Sequence, residues 1–130
     1  MVLDESVVTA ADLFAARDAG ALAVNLKVSR VGGLARTVQM RDLAQQLGLS
    51  VSVEDMWGGD VITAAVSHLA ASTSPEHLMN VSFFNDWTDG HVAGHEPRSA
   101  NGRGRAPSAP GLGIEVDATR LGQPVFVAGD

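Results

Sequence analysis

The segment Ala21–Val28 has the sequence ALAVNLKV, and its alternation decides which fold the chain can adopt. A short run rich in alanine, valine and leucine, followed by Gly32-Gly33, predicts a β-strand that leads to a tight turn. Successive side chains of a strand point to opposite faces. One face carries Val24, Leu26 and Val28, and the other carries Ala23, Asn25 and Lys27. The sequence therefore predicts a strand with an apolar face for helices and an opposite face that ends in a lysine.

Short apolar strands and helical periods alternate on both sides of this segment. The predicted strands are Val2–Asp4, Ala21–Val28, Leu49–Val53 and Leu78–Phe84. The predicted helices are Ala10–Ala19 with Thr9 as N-cap, Leu34–Leu47, and a third that runs from Asp60 as its cap to about Ser72. The apolar stripe of the second helix is predicted to be Leu34, Val38, Leu43 and Leu47. This alternation favours parallel strands joined by right-handed crossovers.

Two α/β architectures fit this alternation, a doubly wound open sheet and four βα units of a barrel. Periodicity alone does not separate them, although a half barrel would leave two unpaired strand edges. The composition changes after Asn85, where residues 86–113 are rich in Gly, Pro, Ser, His and Arg and predict a long loop. We therefore divide the chain into residues 1–84, the βα units, and residues 85–130, a loop with a C-terminal segment.

The composition excludes several classes of protein. A formal net charge of −6 argues against nucleic acid or an anionic membrane surface as the main partner. The absence of cysteine excludes disulfides and thiolate metal sites. No apolar run reaches the roughly 18 residues of a membrane span, and no secretory signal is visible, so a cytoplasmic location is expected. Lys27 is the only lysine among nine basic residues.

Polar side chains follow each predicted strand. They are Asp4-Glu5, Lys27, Glu54-Asp55 and Asn85-Asp86-Trp87. Functional groups of parallel α/β folds gather at the carboxyl ends of strands, so these residues predict a site. Solvation of an exposed strand end remains the alternative for each of them. Trp57 and Trp87 are predicted either to contact a substrate or to pack in the core. His68 is predicted to be a packing or surface residue, and His77, His91 and His95 lack the helical i, i+4 pairing of a zinc site.

Two pairs of motifs resemble one enzyme family. Asp4-Glu5-Ser6, followed by LKVSRVGGL at residues 26–34, resembles the fifth and sixth barrel strands of muconate lactonizing-type members of the enolase superfamily. VEDMWGGD at residues 53–60 and APGLGI at residues 109–114 are similar to the branch that contains cis-3-hydroxy-L-proline dehydratases and racemases or epimerases of proline betaines. The resemblance implies the C-terminal half of a (β/α)₈ TIM-like barrel within the mandelate racemase/muconate lactonizing enzyme family.

The resemblance also implies roles for individual residues. Asp4 matches a carboxylate ligand of an essential Mg²⁺, and Lys27 matches an acid/base lysine that works opposite a second lysine. Glu54 and Asp55 match groups at the end of the seventh strand that orient the substrate or relay protons. The eighth strand ends near Ser82 and Phe83, to which no role is assigned. Next to Mg²⁺, the pKa of Lys27 is expected to be lowered toward the operating pH.

The implied parent is a Mg²⁺-dependent enzyme that removes the α-proton of a small, amino-acid-like carboxylate. A cis-3-hydroxy-L-proline dehydratase is favoured over a proline-betaine racemase or epimerase, because no tryptophan falls where a cation–π cover is expected on the eighth strand, although Trp87 lies nearby in the sequence. The capping domain and the first four strands have no counterpart in the printed sequence. We therefore expect the chain to be inactive alone, as a fragment or as a subunit completed by a partner or by self-association.

Overall fold

The computed structural model describes residues 1–54 and 57–128, which form a four-stranded parallel sheet with helices. The strands are β1 (Val2–Leu3), β2 (Ala23–Lys27), β3 (Ser50–Glu54) and β4 (Leu78–Val81). The helices are α1 (Ala10–Asp18), α2 (Val28–Val31), α3 (Leu34–Gln46) and α4 (Gly59–Ala71). Two 3₁₀ turns span Phe84–Trp87 and Ala118–Leu121. None of the helices in these ranges is long and apolar enough to cross a membrane.

The order of the strands decides between the two architectures. The spatial order is β1-β2-β3-β4, and each strand is parallel to the next. A doubly wound sheet reverses its order at a switch point, which places helices on both faces. An order that never reverses, with right-handed crossovers, places every crossover helix on the same face. The structure therefore confirms the half-barrel arrangement.

The two faces of the sheet differ as a barrel requires. The face toward the helices carries Val24, Leu26, Val51 and Val53, all fully buried in one cluster with Leu13, Met40, Ala44, Val66 and Leu69. The opposite face carries Asn25, Lys27, Ser52, Glu54 and Asn80, which the strand register brings side by side. Burial of each large apolar side chain contributes about 1.5–3 kcal/mol, so the first face holds the fold together. The second face is free to carry polar groups.

Local signals explain where the first helices begin and end. Thr9 is the N-cap of α1, and the Asp12 carboxylate accepts hydrogen bonds from the Thr9 backbone N–H (2.6 Å) and hydroxyl (2.9 Å). Strand β2 ends at Lys27, and the one-turn helix α2 that follows is not predicted from the sequence. Gly32 (φ +98°) and Gly33 (φ +119°) then turn the chain into α3, in backbone conformations that favour glycine.

The predicted apolar stripe of α3 is wrong in its orientation. The buried residues are Thr37, Met40, Arg41 and Ala44, while Leu34 is exposed and Val38, Leu43 and Leu47 are only partly buried. Two polar side chains occupy the buried stripe because both find internal partners. The Thr37 hydroxyl donates to the Gly33 carbonyl (2.9 Å), and the Arg41 guanidinium donates to the hydroxyls of Ser72 (3.0 Å) and Thr73 (3.2 Å).

Two further boundaries differ from the sequence prediction. Helix α4 begins at Gly59 with Gly58 as its N-cap, so Asp60 is not the cap but a buried residue of the first turn. Gly58 is required there, because a Cβ would lie 2.0 Å from the Ile62 side chain. Strand β4 ends at Val81 instead of Phe84, because the chain turns into a 3₁₀ helix at Phe84.

Residues 88–117 form neither a helix nor a named strand, and buried polar contacts anchor this loop. Asp60 on α4 is fully buried, and its carboxylate accepts hydrogen bonds from Asn85 (3.0 Å) and from the backbone N–H of Ala93 (2.8 Å). His91 Nδ1 lies 3.1 Å from the same carboxylate. The loop is therefore held on the first turn of α4 by a single aspartate. Near the end of the described chain, Val125, Phe126 and Val127 are exposed.

Candidate active site at the carboxyl ends of the strands

Three predicted site residues meet at the carboxyl ends of β1, β2 and β3. Lys27 and Glu54 are register partners on neighbouring strands, and Asp4 directly follows β1. The Lys27 ammonium nitrogen lies 3.1 Å from Asp4 Oδ2 and 3.2 Å from Glu54 Oε1. The Lys27 side chain is 15% exposed, so the contacts form in a partly dry setting. The structure thus brings Asp4, Lys27 and Glu54 together; Asp55 lies outside the described residues.

Arg30 is a second cation at this site. Its guanidinium donates from one nitrogen to Asp4 Oδ1 (2.6 Å) and to the Asp4 backbone carbonyl (2.9 Å). Its other terminal nitrogen lies 3.8 Å from the exposed carboxylate of Glu5. The one-turn helix α2 places Arg30 one turn after Lys27, so both side chains reach back toward β1. Both Asp4 oxygens therefore have a cationic partner.

Glu54 is fixed by two neutral side chains that sequence reasoning did not identify. Asn25 donates its side-chain amide to Glu54 Oε1, and the Ser82 hydroxyl donates to Glu54 Oε2 (3.2 Å). Asn25 shares the Lys27 face of β2, so the alternation of the strand already placed it toward the site. The sequence predicts Ser82 only as a residue near the end of the eighth strand. Deeper on the same face, Ser52 donates to Asn80.

The charges of the site reinforce one another. Burial favours the neutral form of Lys27, but hydrogen bonds and charges from Asp4 and Glu54 outweigh it and raise the pKa of Lys27. Burial likewise opposes ionisation of Asp4, yet Arg30 and Lys27 hold its pKa below the ordinary value. In this arrangement two carboxylates stabilise the ammonium ion. The expectation of a lowered Lys27 pKa concerns the lysine beside a bound Mg²⁺ and stays a prediction.

The described residues supply few ligands for a metal ion. Mg²⁺ prefers oxygen ligands in octahedral geometry, commonly one or two carboxylates with water and substrate oxygens. Within residues 1–54 and 57–128, no three histidine, aspartate or glutamate side chains come close enough to hold a metal. Asp4 offers a carboxylate of the right chemistry, shared at present with Lys27 and Arg30. The described part of the chain fits one ligand of a magnesium site and not a complete site.

Three aromatic side chains that follow β3 and β4 in the sequence form a cluster. Trp57 follows β3 and Trp87 follows β4, and both rings stand near Phe84 at centroid distances of 5.1 Å and 5.5 Å. Trp57 is 65% exposed and Trp87 is 72% exposed. Core packing is therefore not their role in the described structure.

The histidines of the loop form carboxylate pairs rather than a zinc site. His95 Nε2 lies 2.8 Å from Asp86 Oδ1, and His91 pairs with Asp60 in the same way. The imidazole rings of His91 and His95 stack with their centroids 4.1 Å apart. The Ser99 hydroxyl also donates to Asp86 (2.5 Å). Hydrogen bonds thus outweigh burial and lower the pKa of both Asp60 and Asp86. His68 contacts the Leu112 carbonyl (3.1 Å), which ties α4 to the later part of the loop.

Comparisons with known proteins assign the chain and its fold to one family. Residues 1–120 match the family described as "Enolase C-terminal domain-like". The chain is 43% identical over 102 residues to the cis-3-hydroxy-L-proline dehydratase of Roseibium aggregatum, a match that covers 78% of this chain and 28% of the dehydratase.

Solved structures give the same result. A mandelate racemase/muconate lactonizing enzyme from Roseovarius nubinhibens superposes with a TM-score of 0.90 at 36% identity, covering 97% of this chain and 34% of that one. An enolase superfamily member from the same organism, complexed with magnesium, has a TM-score of 0.89 at 35% identity, covering 96% and 35%. The chain spans about a third of the length of these relatives. It belongs to the mandelate racemase/muconate lactonizing enzyme family of the enolase superfamily, and it corresponds to part of the C-terminal barrel domain of that family.

Proposed function

We propose that this chain supplies the proton-donating side of a Mg²⁺-dependent lyase site that dehydrates cis-3-hydroxy-L-proline. The observation that carries the proposal is the position of Lys27, a part-buried ammonium group between Asp4 and Glu54 at the barrel mouth. The similarity to the Roseibium aggregatum dehydratase supports the choice of substrate. Asp55 is a candidate for contact with the substrate on the basis of the family resemblance.

The stereochemistry of the substrate suits an acid at position 27. In cis-3-hydroxy-L-proline the carboxyl and hydroxyl groups share one ring face, so the C2 hydrogen and the hydroxyl lie on opposite faces. A base on one face removes the C2 proton, and the electron pair of that bond forms the C2=C3 double bond. The C3–O bond breaks, and the hydroxide leaves as water with a proton from the Lys27 ammonium. The enamine then becomes the cyclic imine by proton transfer.

The charged state of Lys27 agrees with this role. Its pKa is raised, so the side chain carries a proton to donate at neutral pH. The base that removes the C2 proton would come from the first four strands of the barrel, which have no counterpart in this sequence. Asp4 would supply one carboxylate ligand to a magnesium ion, as expected for a family with a magnesium-bound member. Bound there, Mg²⁺ would stabilise the negative charge that develops on the substrate carboxylate.

The test uses the chain alone and a complemented barrel, in which the chain is co-expressed with the part of the Roseibium aggregatum dehydratase that it does not match. Both samples receive Mg²⁺ and cis-3-hydroxy-L-proline, and proton NMR follows substrate and cyclic imine. We expect no turnover by the chain alone and imine formation by the complemented barrel. An assembled barrel that inverts a proline betaine but does not dehydrate hydroxyproline would indicate a racemase instead. An assembled barrel with neither activity would refute catalysis.

A further inference from the structure

We propose that Glu54 acts on Lys27 and not on the substrate, and that Asn25 and Ser82 are positioning residues that hold Glu54 for this purpose. The inference rests on the proposed function, because it concerns how the proton donor is presented. It names two residues to which neither the sequence motifs nor the family resemblance assigns a role.

The Glu54 carboxylate is held from both flanking strands. Asn25 on β2 donates to Oε1, and Ser82, directly after β4, donates to Oε2 at 3.2 Å. The Lys27 ammonium also contacts Oε1, at 3.2 Å. An ionised carboxylate has about four acceptor positions, and these three contacts use most of them. Little capacity is left for a substrate, and the side chain is only 17% exposed.

Asn25 is hard to explain as a packing residue. Asn25 is only 7% exposed. Within the described part of the chain, its side-chain oxygen has no hydrogen-bond partner. A buried acceptor left without a partner costs folding free energy that an apolar side chain would not cost. Ala23, two residues earlier on the same face, shows that a small apolar residue fits this sheet. The hydrogen bond from the Asn25 amide to Glu54 accounts for the asparagine.

Two carboxylates on opposite sides fix the direction of the Lys27 ammonium group. Lysine has a flexible four-carbon stem, so contacts at its end must hold the nitrogen in place. Asp4 holds it from the β1 side (3.1 Å), and Glu54 holds it from the β3 side. Asp4 also binds Arg30, whereas the remaining contacts of Glu54 are neutral hydrogen bonds from Asn25 and Ser82. Loss of either neutral donor should therefore loosen Glu54 and, through it, Lys27.

The single lysine makes the test direct. In the full chain grown with ¹³C/¹⁵N-lysine, the Lys27 Cε carbon gives one pair of Hε proton signals. An ordered side chain resolves the two protons, and rotation merges them. We expect resolved signals in the wild type, merged signals in Asn25→Ala and Ser82→Ala, and restored resolution in Ser82→Thr, which keeps the hydroxyl. Asn80→Ala and Ser50→Ala are matched controls on the same sheet face and should retain the wild-type signals.

Circular dichroism shows whether each variant folds, and the Ser82 pair decides the matter should Asn25→Ala unfold. Signals that stay resolved in folded Ser82→Ala would overturn the inference, as would merged signals in both controls. The measurement requires no turnover. An inactive complemented barrel would therefore refute the proposed function without affecting this result, and resolved signals in Ser82→Ala would refute the positioning role in an active enzyme.

Discussion

Lys27 and Glu54 are partners in the register of two neighbouring parallel strands, and their side chains meet with Nζ 3.2 Å from Oε1. Register partners on a sheet point to the same face, so this contact follows from the alternation of the two strands. It joins the fold to the chemistry, because a one-residue slip of β3 against β2 would turn Glu54 away from Lys27.

The charge of Lys27 is expected to depend on Glu54. Glu54→Gln removes one of the two anions that raise the pKa of Lys27, so that pKa should fall relative to the wild type. A ¹³C/¹⁵N-lysine NMR titration from about pH 9 to about pH 12 measures it on the single lysine. Glu76→Gln, which changes an exposed glutamate, should leave the titration unchanged. Equal Lys27 pKa values in wild type and Glu54→Gln would contradict the assigned contact.

Asp60→Asn is expected to destabilise the chain. The Asp60 carboxylate is fully buried, accepts hydrogen bonds from the Asn85 side chain and the Ala93 backbone N–H, and also contacts His91. An asparagine amide has only one oxygen and cannot replace both carboxylate oxygens as acceptors. Leaving a buried polar group unsatisfied costs about 1–3 kcal/mol, which urea unfolding would measure. Asp18→Asn, at an exposed aspartate, is the control and should change the free energy of unfolding by less than about 0.5 kcal/mol. A similar loss in both variants would show that the Asp60 contacts contribute little.

The free energy of unfolding is expected to fall in acid, because the carboxylates of Asp60 and Asp86, which anchor the loop, become protonated. Burial opposes the ionised forms of Asp60 and Asp86, but their hydrogen bonds outweigh it and lower both pKa values from 3.8 in the folded state. The folded chain thus binds fewer protons than the unfolded chain in acid. Their stabilisation is complete above pH 3.8 and is lost as the pH falls through the lower folded-state values. The urea midpoint should fall less between pH 5 and pH 3 in Asp60→Asn than in the wild type, and an equal fall would contradict this.

Gly33→Ala is expected to weaken the turn that sets α3 against β2. Gly33 has φ +119° and ψ 164°, a region that is essentially restricted to glycine, and strain of this kind costs about 1–3 kcal/mol. Gly90→Ala is the matched control, because Gly90 lacks a positive φ and a Cβ there would meet no atom within 4 Å. In thermal unfolding, the melting temperature of Gly33→Ala should lie several degrees below that of Gly90→Ala. Equal melting temperatures would show that the turn tolerates a side chain.

The alternation of side chains along the strands and the positions of the strand ends predict most of the fold and of the candidate site. They placed Asp4, Lys27 and Glu54 at one edge and Val24 and Leu26 against the helices, because period two and parallel order leave little freedom. The prediction for the buried stripe of α3 is wrong, because two polar residues of that stripe have internal partners. Arg41 contacts Ser72 and Thr73, which follow α4, and Thr37 contacts Gly33 in the turn before α3.

Other features depended on contacts that no local pattern reveals. The sequence predicts Asp60 as an N-cap, because aspartate is common both at the N-cap and in the first turn of a helix. Its partners Asn85 and Ala93 lie after β4 and in the loop, where no local pattern indicates them. The raised pKa of Lys27 depends on the distances to two carboxylates on other strands, and the sequence indicates their presence but not those distances.

The most direct test of the central claim is the rate of water elimination in the complemented barrel with Lys27→Met. Methionine fills a similar volume but carries no proton, so the site should still assemble with Mg²⁺ and substrate. General acid catalysis contributes roughly 10²–10⁴-fold, and we predict that imine formation falls by a factor in this range. Elimination in Lys27→Met within twofold of the unsubstituted barrel would contradict the claim that Lys27 donates the proton.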